Sequence, residues 1–401
     1  MLYFANPLTG KSGLESEILD MVRTMSELQT SITLVCARSL DPIADRDLDK
    51  LMHVAGVRVQ RVPLHLPFYL DASLDSADVP EYFLSIPAFC MRSIAATVRV
   101  VVNQEIKHAI IWHSFIAFPV AICLRLLGVH VFGYGHPLSG VGVKRLFAGW
   151  PKSKVLRIPQ LVGSTAISAV EGFVLACYSW FRVSSPSQAN DLQLRRFCGK
   201  KMGVIPPGLR LSDIPYSTNQ NELGIAYFGA LEDWWDIESL INGFSEISPE
   251  FPSASLHIFG GGSKESRLRE RVAALEPTVR RRIYFHGPVP REELLNQFHK
   301  FGIAVVPLLY SPSNGSVPMK LIEAAAAGKT IIGTATPGIP EYFTNRALLI
   351  PPGDEKAMAD ALRQVLESPQ LRRELSSKAR EIAYRFESKL VCAQFLEQVF
   401  K

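Results

Sequence analysis

The sequence predicts two doubly wound α/β domains in succession, and three observations carry that prediction. At 401 residues the chain exceeds what one ordinary core holds, which favours two domains of about 200 residues each. Short β-branched or apolar runs alternate with helical patterns from end to end, as in parallel sheets wrapped by helices. The alternation breaks once, near Pro206-Pro207-Gly208 and the polar run Ser217 to Glu222, so the strands fall into two sets.

In the first half the predicted strands are Leu2 to Ala5, Ile32 to Cys36, Val57 to Val62, Ala109 to Trp112, Val129 to Tyr134 and Phe181 to Ser184. Between the first two, the proline-free stretch Leu14 to Leu28 carries apolar residues at helical spacing. The second half repeats the scheme with Gly224 to Phe228, Ser255 to Phe259, Arg282 to Phe285, Gly302 to Pro307, Thr330 to Thr334 and Ala347 to Ile350. Ligands of such sheets gather at the carboxyl ends of the strands, so a cleft between two facing domains is where chemistry is expected.

Composition narrows the class. Hydrophobic residues make up 47% and charged residues 20%, the profile of a globular α/β protein. The six cysteines, Cys36, Cys90, Cys123, Cys177, Cys198 and Cys392, form no C-x-x-C pair, so neither a zinc site nor a disulfide framework is expected. The chain opens on the apolar strand Leu2-Tyr3-Phe4-Ala5 without a basic leader or cleavage site, and a cytoplasmic protein is expected. The stretches Ala109 to Gly128 and Leu161 to Phe181 approach membrane-span hydrophobicity, but His113, Pro119 and Arg125 interrupt the first and Glu171 the second. Both read as core elements.

The net charge of +5 is concentrated. Residues 105 to 210 hold 13 Lys and Arg against 3 Asp and Glu, with Lys144, Arg145, Lys152, Lys154 and Arg157 grouped near Trp150. Such a patch is either a solvated face or a surface that meets phosphate or an anionic membrane. No nucleic-acid partner is expected.

The segment richest in chemistry is Ser311-Pro-Ser-Asn314-Gly315-Ser-Val-Pro318-Met319-Lys320-Leu-Ile-Glu323, followed by Ala324-Ala-Ala-Ala-Gly328. A strand ends at Pro307, a Ser/Asn/Gly loop follows, and a helix begins near Pro318, where proline suits a first turn. Free N–H groups and the positive helix end make this an anion site, to which Lys320 adds a mobile cation that reaches a diphosphate. Glu323 lies one turn further along, where its carboxylate can accept both hydroxyls of a ribose. The alternative is an ordinary surface pair on an Ala-rich helix.

This segment resembles the group 1 glycosyltransferases, and its P-x-K-x-x-E form resembles bacterial exopolysaccharide glycosyltransferases. The resemblance extends through Thr336-Pro-Gly-Ile-Pro-Glu341, Pro351-Pro-Gly-Asp354, Ile283-Tyr-Phe-His286-Gly287, Val183-Ser-Ser-Pro-Ser187 and Val204-Ile-Pro-Pro-Gly208. It implies the GT-B fold: an N-terminal acceptor domain over residues 1–210, a C-terminal donor domain over 211–384, and a last segment, 385–401, whose helix from Glu387 to Phe400 returns to the first domain. It also implies donor binding by Lys320, Glu323, Met319, Gly229, His286 and the loop holding Asn314 and Gly315.

In the N-terminal domain the resemblance makes Asn6-Pro-Leu-Thr-Gly10-Lys-Ser-Gly13 the loop that approaches the diphosphate and acceptor, and gives His136 a place in the cleft as the catalytic candidate. A histidine satisfied at a strand end is the other account of His136. Glu15, Glu17, Asp71, Asp75, Asp78 and Glu81 are possible general bases, and His113 is equally open.

Two departures stand out. The family's donor loop supplies two cations, whereas Gly229-Ala230-Leu-Glu-Asp-Trp234-Trp235-Asp236 places Ala230 and Trp235 at those positions. The family's first Glu, eight residues before Glu323, is replaced by Gly315. Trp234 and Trp235 are core aromatics or a stacking wall.

The expected activity is transfer of a sugar from a nucleoside-diphosphate sugar to a glycan or lipid-linked acceptor in bacterial polysaccharide synthesis, with no cofactor and no metal. The nearest approach to an acidic metal motif in the donor half is Glu232-Asp233. Two rivals stay open. One is a sugar-nucleotide binder without activity. The other is a P-loop NTPase, because Ala5-Asn-Pro-Leu-Thr-Gly10-Lys11-Ser12 meets a loose Walker A pattern, although Ala5 replaces its first Gly and Pro7 removes a donor.

Overall fold

A computed structural model describes residues 2–7, 13–28, 31–37, 46, 49–50, 52–62, 79–112, 118–134, 175–190, 201–217, 223–310 and 315–401. The chain forms two compact units, one of Met1–Pro206 with Pro312–Asn314 and Val391–Lys401, the other of Pro207–Ser311 with Gly315–Leu390.

The N-terminal unit is built on a seven-stranded sheet in the order β3-β2-β1-β4-β5-β6-β7. Its strands are β1 (Leu2–Pro7), β2 (Thr33–Ala37), β3 (Arg58–Val62), β4 (His108–Trp112), β5 (His130–Tyr134), β6 (Trp180–Val183) and β7 (Met202–Val204). Every neighbouring pair runs parallel. Helices Gly13–Glu27, Val79–Gln104 and Phe118–Leu126 supply the crossovers. The apolar stretch from Ala109 thus divides into a strand and a separate helix. No helix among the described residues is long and apolar enough to cross a membrane.

Strand β7 has no counterpart in the sequence prediction. It is three residues long, and its central Gly203 lies under the Trp180 indole, where a Cβ would come within 2.2 Å of the ring. A strand that short, with glycine at its centre, shows no periodicity.

The C-terminal unit has six parallel strands in the order β10-β9-β8-β11-β12-β13. They are β8 (Gly224–Phe228), β9 (Ser255–Phe259), β10 (Ile283–Gly287), β11 (Ile303–Val306), β12 (Thr330–Thr334) and β13 (Leu348–Ile350). All residues of β8, β11 and β12 are buried, as expected for strands covered on both faces. The edge strand β10 alternates instead. Strand order reverses between β8 and β11, and the crevice at that switch point is where such sheets bind ligands.

The last helix, Ser388–Val399, begins one residue after the expected start. Its Val391, Cys392, Phe395 and Val399 pack with Ile18, Met21, Leu34 and Tyr134 of the N-terminal unit's core. Just before it, Leu209 and Glu387 form a single parallel bridge, with Leu209 N–H donating to the Phe386 carbonyl at 2.7 Å and Ser388 N–H to Leu209 O at 3.0 Å.

Candidate functional site

At the switch point of the C-terminal sheet, β8 ends at Phe228 and the chain turns at Gly229, whose φ is +133°. The turn is fixed by neighbours: Gly229 N–H donates to Phe259 O at 2.9 Å, and Gly260 N–H to Gly287 O at 2.8 Å. Gly260 also has positive φ, and a Cβ there would lie 1.9 Å from the Gly229 carbonyl oxygen. The loops after β8, β9 and β10 are therefore stacked backbone to backbone, and glycine is required for the approach.

Helix Met319–Ala326 follows the loop after β11, with Pro318 as its N-cap and no side-chain cap on its first N–H groups. Pro318 thus stands just ahead of the first turn rather than within it. Lys320, half-buried by surface, aims its ammonium at the turn after β8. Nζ lies 3.5 Å from the Trp235 ring centroid and 4.5 Å from that of Tyr227, and donates to the Tyr227 hydroxyl at 3.3 Å. That hydroxyl in turn donates to Ala230 O at 2.6 Å. A Cβ on Gly229 would come within 2.2 Å of Nζ.

Lys320 is therefore not the mobile cation the sequence suggests, since two aromatic faces and a glycine hold it. It has no carboxylate in ion-pair range among the described residues. Burial is the main cause that pulls its pKa down to about 7, against a smaller opposing effect of Glu323. Burial, and then the Glu232 carboxylate, push Tyr227 well above 10.

Glu323 does not pair with Lys320. It is buried, at 7% exposure, and its Oε1 accepts from Arg291 Nε at 2.8 Å. Arg291 opens the helix Arg291–Gln297 behind Pro290, and its Nη2 is buried without a hydrogen-bond partner among the described residues. The sequence did not single out Arg291, Tyr227 or this use of Trp235. Trp235 supplies a wall for the lysine ammonium, while Trp234 is partly buried against the core.

Other predicted residues find different places. Gly315 has φ +89°, and its carbonyl lies where a Cβ on Gly338 would come within 2.3 Å. Left-handed backbone of this kind disfavours the glutamate that the family resemblance implies there. Met319 is half-buried and packs on the core. His286 is exposed on β10, its ring stacked on Phe259 at 4.2 Å and its Nε2 3.0 Å from His257 Nδ1. Burial and then Lys300 lower its pKa. Burial, then His286 and Lys300, bring His257 down to about 4.

Glu232 accepts from Ser263 Oγ at 2.7 Å and from Ser263 N–H at 3.2 Å. Asp233 pairs with Lys264 at 3.7 Å. Asp354, at the Pro-Gly-Asp turn, caps helix Glu355–Glu367 by accepting from Ala357 N–H at 2.9 Å. No group of three His, Cys, Asp or Glu among the described residues is placed to hold a metal ion.

In the N-terminal unit Glu17 is corrected as a general-base candidate. It is 1% exposed, accepts from the Tyr134 hydroxyl at 2.8 Å and lies 3.4 Å from Arg182 Nη2. The Arg182 guanidinium stacks over Tyr134 at 4.4 Å and donates from Nε to Ile205 O at 2.6 Å. A buried carboxylate so committed serves the fold. Gly13 opens the first helix. Gly10, His113, His136, Asn314, Asp71, Asp75 and Asp78 lie outside the described residues, as do the side chains of Glu15 and Glu81.

Two Rossmann-like sheets, each with its reversal of strand order, define a protein of the GT-B class. The same architecture is found in the Anabaena protein HepE solved with UDP, at a TM-score of 0.70 and 14% identity over 99% of this chain and 98% of that one. Residues 214–382 match the family described as glycosyl transferases group 1, so the C-terminal unit is a group 1 glycosyltransferase domain. Among curated relatives, the chain is 28% identical over 205 residues to D-inositol 3-phosphate glycosyltransferase of Corynebacterium efficiens, covering 46% of this chain and 47% of that one. It is 26% identical over 168 residues to an exopolysaccharide phosphotransferase of Streptomyces coelicolor, covering 40% of this chain and 17% of the relative. The chain thus spans less than half the length of either relative.

Proposed function

We propose that the protein moves a sugar from a nucleoside-diphosphate sugar to a glycan or lipid-linked acceptor in polysaccharide synthesis, with the donor held by the C-terminal unit. The observation that carries this is Lys320. An ammonium buried at the first turn of a helix, beside a glycine turn and without a carboxylate of its own, is a site prepared for an anion. A diphosphate laid between Gly229 and the Met319 helix supplies the missing charge. Glu323, steadied by Arg291, keeps Oε2 for the hydroxyls of a ribose. The HepE structure with UDP supports the choice of ligand.

The test is calorimetry with a panel of nucleoside diphosphates and their sugars. Lys320→Ala and Glu323→Ala should each weaken binding by about 1.5 to 3 kcal/mol, the worth of a charge-assisted hydrogen bond, with the fold intact. Unchanged affinity in both variants rejects the site.

The N-terminal unit takes the acceptor in this proposal, with Gly10 and Gly13 in the loop nearest the reacting groups and His136 acting on the transferred sugar. His136→Ala should lower turnover more than donor affinity. The basic residues between 105 and 210 would hold the protein peripherally on an anionic membrane surface, each contributing on the order of 1 kcal/mol at low salt. Co-sedimentation with anionic vesicles that survives high salt unchanged contradicts that attachment. Ala230, Trp235 and Gly315, where the family resemblance implies charge, favour one rival: a sugar-nucleotide binder without transfer. Binding with no turnover on any acceptor would select it.

A further inference from the structure

All strands of the N-terminal sheet run the same way, so the starts of β2, β3 and β4 share one edge, opposite to the carboxyl ends where sugar chemistry is expected. At this amino edge lies a cavity of about 550 Å³, within the size range of small-ligand sites. Its floor is apolar: Val22 and Met25 from the first helix, Ile32 and Ile110 from the sheet, Leu396 and Val399 from the last helix.

Its rim is basic. Arg58 begins β3, His108 begins β4, and Lys107 immediately precedes it. Their placement follows from the end of helix Val79–Gln104, where Glu105 adopts φ +49° and Ile106 N–H returns to Val101 O at 3.1 Å. This left-handed stop turns the chain so that the next two residues reach the cavity. Glu105 is the one acidic residue of the lining, against Arg58 and Lys107, neither of which has an ion-pair partner among the described residues.

The local field is positive by a second measure. His108 stacks on His130 at 5.7 Å and meets the exposed Phe400 ring edge-on at 5.3 Å. Its pKa is lowered by burial first, then by His130 and Lys107. Lys107, whose charge opposes a proton on His108, would welcome an anion. Thr33 and Gln104, joined at 2.6 Å, add polar groups beside the rim.

We propose that this cavity is a second binding site, for an amphipathic anion whose phosphate or carboxylate head meets Arg58 and Lys107 and whose hydrocarbon tail lies on the apolar floor. Neither half of the chemistry suffices alone. A bare phosphate would leave the floor wet, and an uncharged alkyl chain would leave the two cations unmet.

The experiment uses the full chain with decyl phosphate kept below its micelle concentration, alongside decanol and inorganic phosphate. Decyl phosphate should bind at least tenfold more tightly than either control. It should also move the His108 ring resonances, raising that imidazole's titration midpoint as the anion offsets the field. Arg58→Ala combined with Lys107→Ala, two exposed changes that spare the core, should weaken binding tenfold or more. Excess UDP should leave binding in place. Vesicles containing phosphatidic acid, run in parallel, separate a bilayer lipid from a free ligand, and occupancy by either upholds the site. The proposal is overturned if decanol or inorganic phosphate binds as well as decyl phosphate. It is equally overturned if the double variant binds like the wild type, if UDP displaces the ligand, or if neither form of the anion perturbs His108.

Discussion

Arg182 in the N-terminal unit and Lys320 in the C-terminal unit are both cations held against aromatic rings, but they differ in what balances them. Arg182 has Glu17 at 3.4 Å, inside a core where both side chains are fully enclosed. Lys320 has a phenol and two ring faces, while the nearby Glu323 is committed to Arg291. Removing ions from water is costly, and a partner of opposite charge offsets that cost. Where the chain supplies the partner, the charge is balanced and the pair serves the fold, although Arg182 Nη1 and Nη2 make no hydrogen bond among the described residues. Where it does not, the ammonium falls toward neutrality and a ligand can complete the set.

Breaking the charge-balanced pair should have the largest effect. Glu17→Gln leaves Arg182 buried without its counter-charge and should cost about 3 to 5 kcal/mol of unfolding free energy. Chemical denaturation measures it, and nucleoside-diphosphate affinity of the folded protein should not change. The converse variant, Lys320→Met, should weaken donor binding by about 1.5 to 3 kcal/mol while leaving the denaturation midpoint equal or higher. If both variants lose stability alike, the two cations are equivalent and the contrast fails.

Gly229→Ala keeps the lysine but closes the space around its ammonium, in a turn whose φ of +133° also disfavours a side chain. The added methyl lies 2.2 Å from Nζ, so the lysine must leave its aromatic seat, and affinity for the donor should fall roughly tenfold, or about 1.4 kcal/mol. An unchanged dissociation constant would mean that the seat does not matter.

The smallest effect concerns pH. With Lys320 near 7 in the empty protein, the protonated, anion-binding form is dominant below that value and is lost as pH rises through it. A nucleoside-diphosphate sugar, whose diphosphate diester does not titrate there, should bind about threefold more weakly at pH 7.5 than at pH 6.5, by the change in competent fraction. Binding should take up a proton, seen as a buffer-dependent heat. The same pH series on Lys320→Met should be flat.

The helix Met319–Ala326 was legible because its signals are local: a loop, Pro318, then a charge one turn apart from another. The strands of the C-terminal sheet were legible because burial on both faces makes them continuous apolar runs. What escaped lies far apart in sequence. Arg291 reaches Glu323 across 32 residues, and from the sequence it is an ordinary helix start. Tyr134 reaches Glu17 across 117, and a glutamate beside Glu15 on an amphipathic helix looks exposed, hence its mistaken candidacy as a base. Trp235 in place of a family cation looked like a loss, yet in three dimensions it forms the surface on which another cation rests.

The return of the last helix bears on the order in which the protein can be made. Residues Val391, Cys392, Phe395 and Val399 belong to a core whose other members begin at Ile18. Chains leave the ribosome amino end first, and domains usually fold in that order. Here residues made early wait for residues made much later to complete their core, whereas the segment Pro207–Leu390 holds the whole of the other unit and can close beforehand. The second unit is thus free to finish first. Until the helix Ser388–Val399 has emerged, the growing chain exposes the apolar face that Phe395 will cover, and a truncation before Val391 that spares every residue of the proposed sugar-nucleotide site should still harm the yield of folded protein.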